Sequence, residues 1–326
     1  MIAFEIPEDS ADPIQLADWL ELQAIVAADS DASQGDLEAI LRIPSVLESY
    51  SDPETLSDWG ETSNGLPSVT EYVDEDRLIE EKTLEVFSEL EMRERAAPNA
   101  YPFQIDPYGV LRLRSNWTDF PSYVFCLCLS YFEWVTFRKG ESRSSKLFEE
   151  LSCLAAARYF GGQAVNFGAP RVQLPSSFSM AIDQLCVLIG EGDGYRVHSD
   201  LQPQDDKLDL VVWKDSPDRL PGKLLVFGQC AAGKKWSAKL TEMQADKFAE
   251  FWIRNGTYSK AIRSFFIPHR VKGGVGSGRW DYAVTYGGIF FDRCRIASWA
   301  HGADGVDYSP YLDWVKSRLS ESSRAD

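Results

Sequence analysis

Apolar residues in Asp12–Ala28 recur at helical spacing. Leu16, Trp19, Leu20, Leu22, Ile25 and Val26 approximate one stripe, which predicts an amphipathic helix. Ser33-Gln-Gly-Asp-Leu-Glu offers N-cap chemistry for a second short helix over Asp36–Arg42. Ser51–Asp76 mixes Pro, Ser, Gly and acids without periodicity and reads as linker or loop. Asp76–Arg95 reads as a charged helix burying Leu78, Leu84, Phe87 and Leu90. Pro102–Asp106 and Val110–Arg114 read as a hairpin around Pro-Tyr-Gly, and Tyr123–Phe137 as a buried apolar run.

Ser144–Tyr159 carries the clearest helical pattern and stops at Gly161-Gly162. A short strand follows at Ala164–Phe167, then a helix at Phe178–Ile189 closed by a glycine-rich turn. Leu208–Trp213 and Leu224–Cys230 are β-rich runs separated by turn residues, so they predict a hairpin. Thr241–Asn255 reads as an amphipathic helix, and Ala261–Ile267, Tyr282–Thr285 and Gly288–Phe291 as further strands. Gly273–Gly278 reads as a mobile loop; it lacks the Gly-Lys-Ser/Thr ending of a phosphate loop. This alternation predicts an α/β sandwich.

Charge divides the chain more sharply than hydropathy does. The net charge is −17, but residues 1–100 hold 25 Asp and Glu against 5 Lys and Arg. Residues 101–326 hold 25 acidic and 28 basic residues, so only this body is electrostatically suited to approach phosphates. The 326 residues therefore read as an acidic, mostly helical region over 1–100 and a body over 101–326. The six cysteines are scattered in apolar surroundings and read as buried thiols of a reducing cytoplasm. Cys126-x-Cys128 lacks zinc-ligand spacing. No apolar run approaches the roughly 18 residues that span a bilayer, and Met1–Ser10 has no signal-peptide character. The expectation is a cytoplasmic protein without membrane association.

Three elements could serve phosphodiester hydrolysis, which uses an oxygen-bound cation, an activated water and a positive group. Asp209 opens an apolar strand, where a solvated strand end is the plain alternative. Gln229 closes the next strand, where it could instead satisfy a backbone group. Lys234, Lys235 and Trp236 follow in a turn suited to phosphate contact or simply to solvent. Lys239, Arg270, Lys272, Arg279, Arg293 and Arg295 extend this basic character, and ordinary surface charge is the competing reading.

The order KLFEEL, DKLDLVVW, LLVFGQCAAGKKW resembles the PD-(D/E)XK superfamily, with Gln as in Mrr-type restriction enzymes. The resemblance covers about residues 144–295 and implies a restriction-endonuclease-like α/β/α sandwich with a mixed central sheet. It implies that Glu150, with Glu149 the nearest substitute, Asp209 and Gln229 hold Mg²⁺ or Mn²⁺. The pattern's lysine would stand at position 231, which is Ala231, so Lys234, or next Lys235, must supply the charge.

The resemblance thus implies an endonuclease cleaving DNA, the effector subunit of a bacterial antiphage defence or restriction system. A partner such as an ATPase, helicase or sensor would accompany it, and homo-oligomerisation is left open. Ala231 and Gln229 also admit a catalytically degenerate subunit that binds nucleic acid or acts as a scaffold. A third reading makes the chain an acidic regulator that mimics nucleic acid. The acidic region is expected to restrain the nuclease or dock the partner, or else to cap the core.

Overall fold

The computed structural model describes residues 12–42, 69–135, 142–198, 203–272 and 278–322, together with Phe4 and Leu201. Two sheets organise them. The smaller is antiparallel, in the order β1 (Asp31–Ser33), β3 (Val110–Leu113), β2 (Phe103–Ile105). The β2–β3 pair is the expected hairpin; β1 joins it from the acidic region. Around it lie α1 (Pro13–Val26), α2 (Gln34–Leu41) and α3 (Val69–Ala96). Asp12 caps α1 by accepting the Ile14 N–H at 2.9 Å, and Pro13 fits the first turn, where no donor is needed. A reciprocal Ser33–Asp36 capping box starts α2.

The larger sheet is mixed, in the order β4 (Gln163–Asn166), β5 (Leu210–Lys214), β6 (Leu224–Cys230), β7 (Ile262–Phe266), β8 (Ile289–Phe291). Strands β4, β5 and β6 pair antiparallel, and β7 and β8 add in parallel. Side chains alternate along these strands, so each face has its own core. Leu210, Val212, Val226, Phe266 and Phe291 join the core that contains α4 (Pro121–Val135), α5 (Ser142–Phe160) and α9 (Arg293–Ala300). Val165, Val211, Trp213, Leu225 and Phe227 pack instead with α6 (Phe178–Ile189) and α7 (Ala245–Trp252). Helices therefore cover both faces of the sheet. The last element among the described residues is α10 (Ser309–Ser322), whose Tyr311 and Trp314 pack edge-on against Phe125 of α4.

Several expectations need correction. Tyr282–Thr285 is not a strand but part of α8 (Gly278–Gly287). Its β-prone residues are overridden because helical spacing buries Ala283 and Gly287, with Trp280 and Val284 packed beside Phe265 and Phe290. Gly287 is tight: a Cβ there would meet Leu240 at 3.0 Å and Phe265 at 3.2 Å. Helix α3 buries Phe87 and Leu90 as expected, together with Ile79, Thr83, Val86 and Arg93, but leaves Leu78 and Leu84 exposed. The helical run of Thr241–Asn255 is shorter than expected, confined to α7. The expected linker Ser51–Asp76 is overturned over residues 69–76, which form the first turns of α3, and its remainder, 51–68, lies outside the described residues, as does 273–277 of the expected loop Gly273–Gly278.

The charge division at residue 100 is not a packing division among the described residues. Leu16, Trp19, Leu20, Val86 and Leu90 share one core with Phe125, Phe148 and Ile296. Even the polar side of α1 is enclosed, with Gln15, Asp18 and Glu21 all buried. Arg93 Nη1 meets Asp18 at 2.7 Å and Glu21 at 3.0 Å, and its Nε meets Glu89 at 2.9 Å. Arg293 Nη2 reaches Asp18 at 2.7 Å, so α9 is tied to α1 across the whole chain. Tyr101 and Tyr123 donate to Glu21 at 2.8 and 2.9 Å. Burial, offset in part by the two arginines, raises the Glu21 carboxyl above its ordinary range. The apolar stripe of α1 is thus consumed by the fold's own core.

Candidate functional site

Asp209 is held where three chain segments meet. Its backbone N–H donates to Gly228 O at 2.9 Å, and its carbonyl accepts the N–H groups of Phe167 at 2.8 Å and Gly168 at 3.0 Å. Its Oδ2 accepts the Cys230 N–H at 2.7 Å, anchoring the carboxylate to the end of β6. Its other oxygen, Oδ1, turns towards Glu149 of α5. Oδ1 lies 3.1 Å, and Glu149 Oε2 2.9 Å, from the point where a side chain on Gly168 would begin. Only glycine leaves room for both carboxylates at that position.

Electrostatics follow from this geometry. Burial first, and then the Glu149 charge, push the Asp209 carboxyl well above its ordinary range; the Cys230 N–H and Lys239 oppose this. Burial likewise raises Glu149, against the pull of Lys146. Lys146, one helical turn before Glu149, donates to Glu149 Oε2 at 2.9 Å and to Gly168 O at 3.2 Å. It stands beside both acids of the site, yet the sequence reading gives it no role, although it opens the KLFEEL run. The i, i+3 spacing from Glu149 is the signal that could have found it.

The remaining expected residues divide. The acid that α5 brings to Asp209 is Glu149, the substitute; the charge of Glu150 is felt at Tyr311 of α10, whose hydroxyl is raised first by burial and then by that charge. Asp209 precedes the pair Leu210–Gly228 and so stands at the strand end beside Gln229. Gln229, however, alternates to the side of Phe265, and its amide donates to Glu242 Oε2 at 3.2 Å and accepts from Arg263 at 3.4 Å. Ala231 is buried. Lys234 lines a cavity beside α1 together with Trp236, Lys272 and Arg279. The lysine of that turn whose charge acts on Asp209 is Lys239.

Two arginines expected at a nucleic-acid surface are structural. Arg293 is fully buried against Asp18, and Arg270, nearly buried, pairs with Glu89 and Asp292. Removing either guanidinium from water is tolerable only because these acids meet it. Arg295 is spent locally, donating to Phe290 O at 2.7 Å and lying over Trp280. Lys234, Lys235, Lys239, Lys272 and Arg279 are exposed, and Trp236 is half-buried against Phe290.

Among the described residues, no set of three or more His, Cys, Asp or Glu side chains is grouped to hold a metal. The Asp209–Glu149 pair still suits a magnesium-like ion, which is commonly held by one or two carboxylates with water or phosphate completing the shell. The gap over Gly168 and two carboxylates with raised pKa values are the features that fit a cation. Also among the described residues, no helix is long and apolar enough to cross a membrane. In comparisons with known proteins, the chain matched no family model, no curated protein and no solved structure.

Proposed function

We propose that the chain is a metal-dependent nuclease of the restriction-endonuclease-like type, acting on DNA through the centre around Asp209 and Glu149. The single observation that carries this reading is the convergence of the two carboxylates over Gly168 at the end of a β-hairpin flanked by an α-helix. A bound Mg²⁺ or Mn²⁺ would supply an acidified water and a positive charge for the scissile phosphate. Asp209 Oδ1 and Glu149 would hold it. Lys146 lies within 2.9 Å of Glu149 and offers the positive group that Ala231 cannot. The exposed Lys235 and Lys239 would follow the phosphate backbone, a role that needs charge but not sequence readout.

A bacterial defence setting, with an ATPase, helicase or sensor as partner, belongs to the same reading. A second reading, a nuclease fold without cleavage, is favoured by one observation: the Gln229 amide is engaged by Glu242 and Arg263 and does not face the carboxylates. One experiment separates the two. The full chain is incubated with plasmid, linear DNA and RNA in Mg²⁺, Mn²⁺ or EDTA, beside Asp209→Asn and Glu149→Gln. Cleavage that needs metal and both acids supports the nuclease. Metal binding without cleavage by the full chain supports the second reading, and neither result would remove both.

A further inference from the structure

The segment 168–176 leads from the gap between the two carboxylates into α6, and little of its own structure holds it. Among the described residues, no backbone–backbone hydrogen bond involves 169–176. Val172 is exposed, Leu174 is buried, and Gln173 accepts the Asn166 N–H at a long 3.4 Å. Arg171 closes the segment. Its Nη1 donates to Ser176 O at 3.0 Å, at the far end of the same segment. Its Nη2 donates to Gln204 O, next to Asp205 on the approach to β5. Its guanidinium lies over the Phe167 ring, 4.6 Å from the centroid. Phe167 and Gly168 are the residues whose N–H groups donate to Asp209 O.

One planar cation therefore joins both ends of this segment to the segment before β5. The second anchor is itself fixed: the Leu208 N–H donates to Asp205 O at 3.2 Å, and Trp252 Nε1 to Asp206 Oδ2 at 2.6 Å. Both Arg171 hydrogen bonds end on carbonyls, so what it holds is backbone. Burial lowers its pKa, and the Asp205 charge opposes that. Asp205 also acts on the centre. Burial is the first cause of the raised Asp209 and Glu149 carboxyls, and the Asp205 charge adds to both. Gly168 is tied from the helix side as well, where its O accepts Lys146 at 3.2 Å. Resting on the reading of Asp209 and Glu149 as cation ligands, we propose that Arg171 is a positioning residue for that centre. It pins the segment of Gly168 to the segment of Asp205 and so fixes the gap between the carboxylates, without touching the ion. Outer partners of this kind are worth about 10–100-fold in metal affinity.

The test compares the full-length wild type with Arg171→Met, which loses both donors, and Arg171→Lys, which keeps the charge. A lysine cannot reproduce the planar fork that spans two carbonyls and lies flat on a ring. Mn²⁺ binding is read by electron paramagnetic resonance of the free ion, with Asp209→Asn as the measure of a lost site. Exchange of the Phe167 and Gly168 amides is read by NMR without metal. In both Arg171 variants Mn²⁺ affinity should fall about tenfold or more, and the two amides should exchange faster, with a cooperative thermal transition kept. Wild-type affinity in Arg171→Met would overturn the role. Wild-type affinity and exchange in Arg171→Lys would also overturn it, by assigning the effect to charge alone. Loss of the cooperative transition in both variants would assign Arg171 to the core and overturn it equally. Each of these failures leaves the cation reading of Asp209 and Glu149 standing; a wild type that binds no Mn²⁺ overturns that reading itself, and this role with it.

Discussion

Glu149 Oε2 and Asp209 Oδ1 approach the same point, 2.9 and 3.1 Å from where Gly168 would carry a Cβ. Two acids from a helix and a strand thus share a gap kept open by a glycine on a third segment. Gly168→Ala is expected to push the carboxylate ends aside and leave the fold intact, because the obstructing atoms terminate side chains. Misplacement of this order costs about 10²-fold in rate at a preorganised centre. Cleavage assays beside thermal unfolding would check it; unaltered cleavage would remove Glu149 and Asp209 from the reaction.

The raised carboxyls of Asp209 and Glu149 make a signed prediction for stability. In the folded state both bind protons more tightly than in the unfolded state, so stability falls as pH rises through and above the ordinary carboxylate range. The cost is complete once pH exceeds their folded values and absent below the unfolded ones. Asp209→Asn keeps an oxygen for the Cys230 N–H and loses the charge, so it should melt higher than the wild type at neutral pH. Mg²⁺ at a hundredfold its dissociation constant should stabilise the wild type by about 2.7 kcal/mol and the variant much less. Equal metal response in both would place the ion elsewhere.

The missing lysine can be assigned by comparing three single substitutions. Lys146→Ala is expected to lower the cleavage rate by about 10²–10³-fold, because Lys146 contacts Glu149 and the Gly168 carbonyl. Lys239→Ala should have a smaller effect through Asp209. Lys234→Ala should leave the chemical step unchanged, because Lys234 lines the cavity beside α1 and not the Asp209 centre. Single-turnover kinetics would decide; loss only in Lys234→Ala would restore the reading first drawn from the sequence.

Arg93 neutralises Asp18, Glu21 and Glu89 in a space closed to water. Arg93→Leu leaves those acids short of a cation and should cost about 3–5 kcal/mol, measured by denaturant unfolding. A chain beginning near Pro102 should not fold, since Arg293 and Arg270 would lose Asp18 and Glu89 and the core would lose α1 and α3. A cooperative melt of that truncated chain would show that the acidic region is dispensable.

The sequence by itself determined where most elements lie and which residues open and close them. Helix α6 and strand β6 fall where they were expected, and N-cap chemistry around Ser33 was legible, because these depend on local periodicity and capping. The strand-end carboxylate Asp209 was legible for the same reason. Tertiary structure alone decided which of two adjacent acids faces it: Glu149 and Glu150 differ by about 100° around a helix, and only the packing of α5 chooses between them. It also decided the fate of the arginines. Nothing local separates Arg293, sealed against Asp18, from the exposed Arg279, because the acid that buries the first lies 275 positions away. Net charge summed over the first hundred residues set off an acidic region from the body, and three of its acids, Asp18, Glu21 and Glu89, supply counter-charge inside the core.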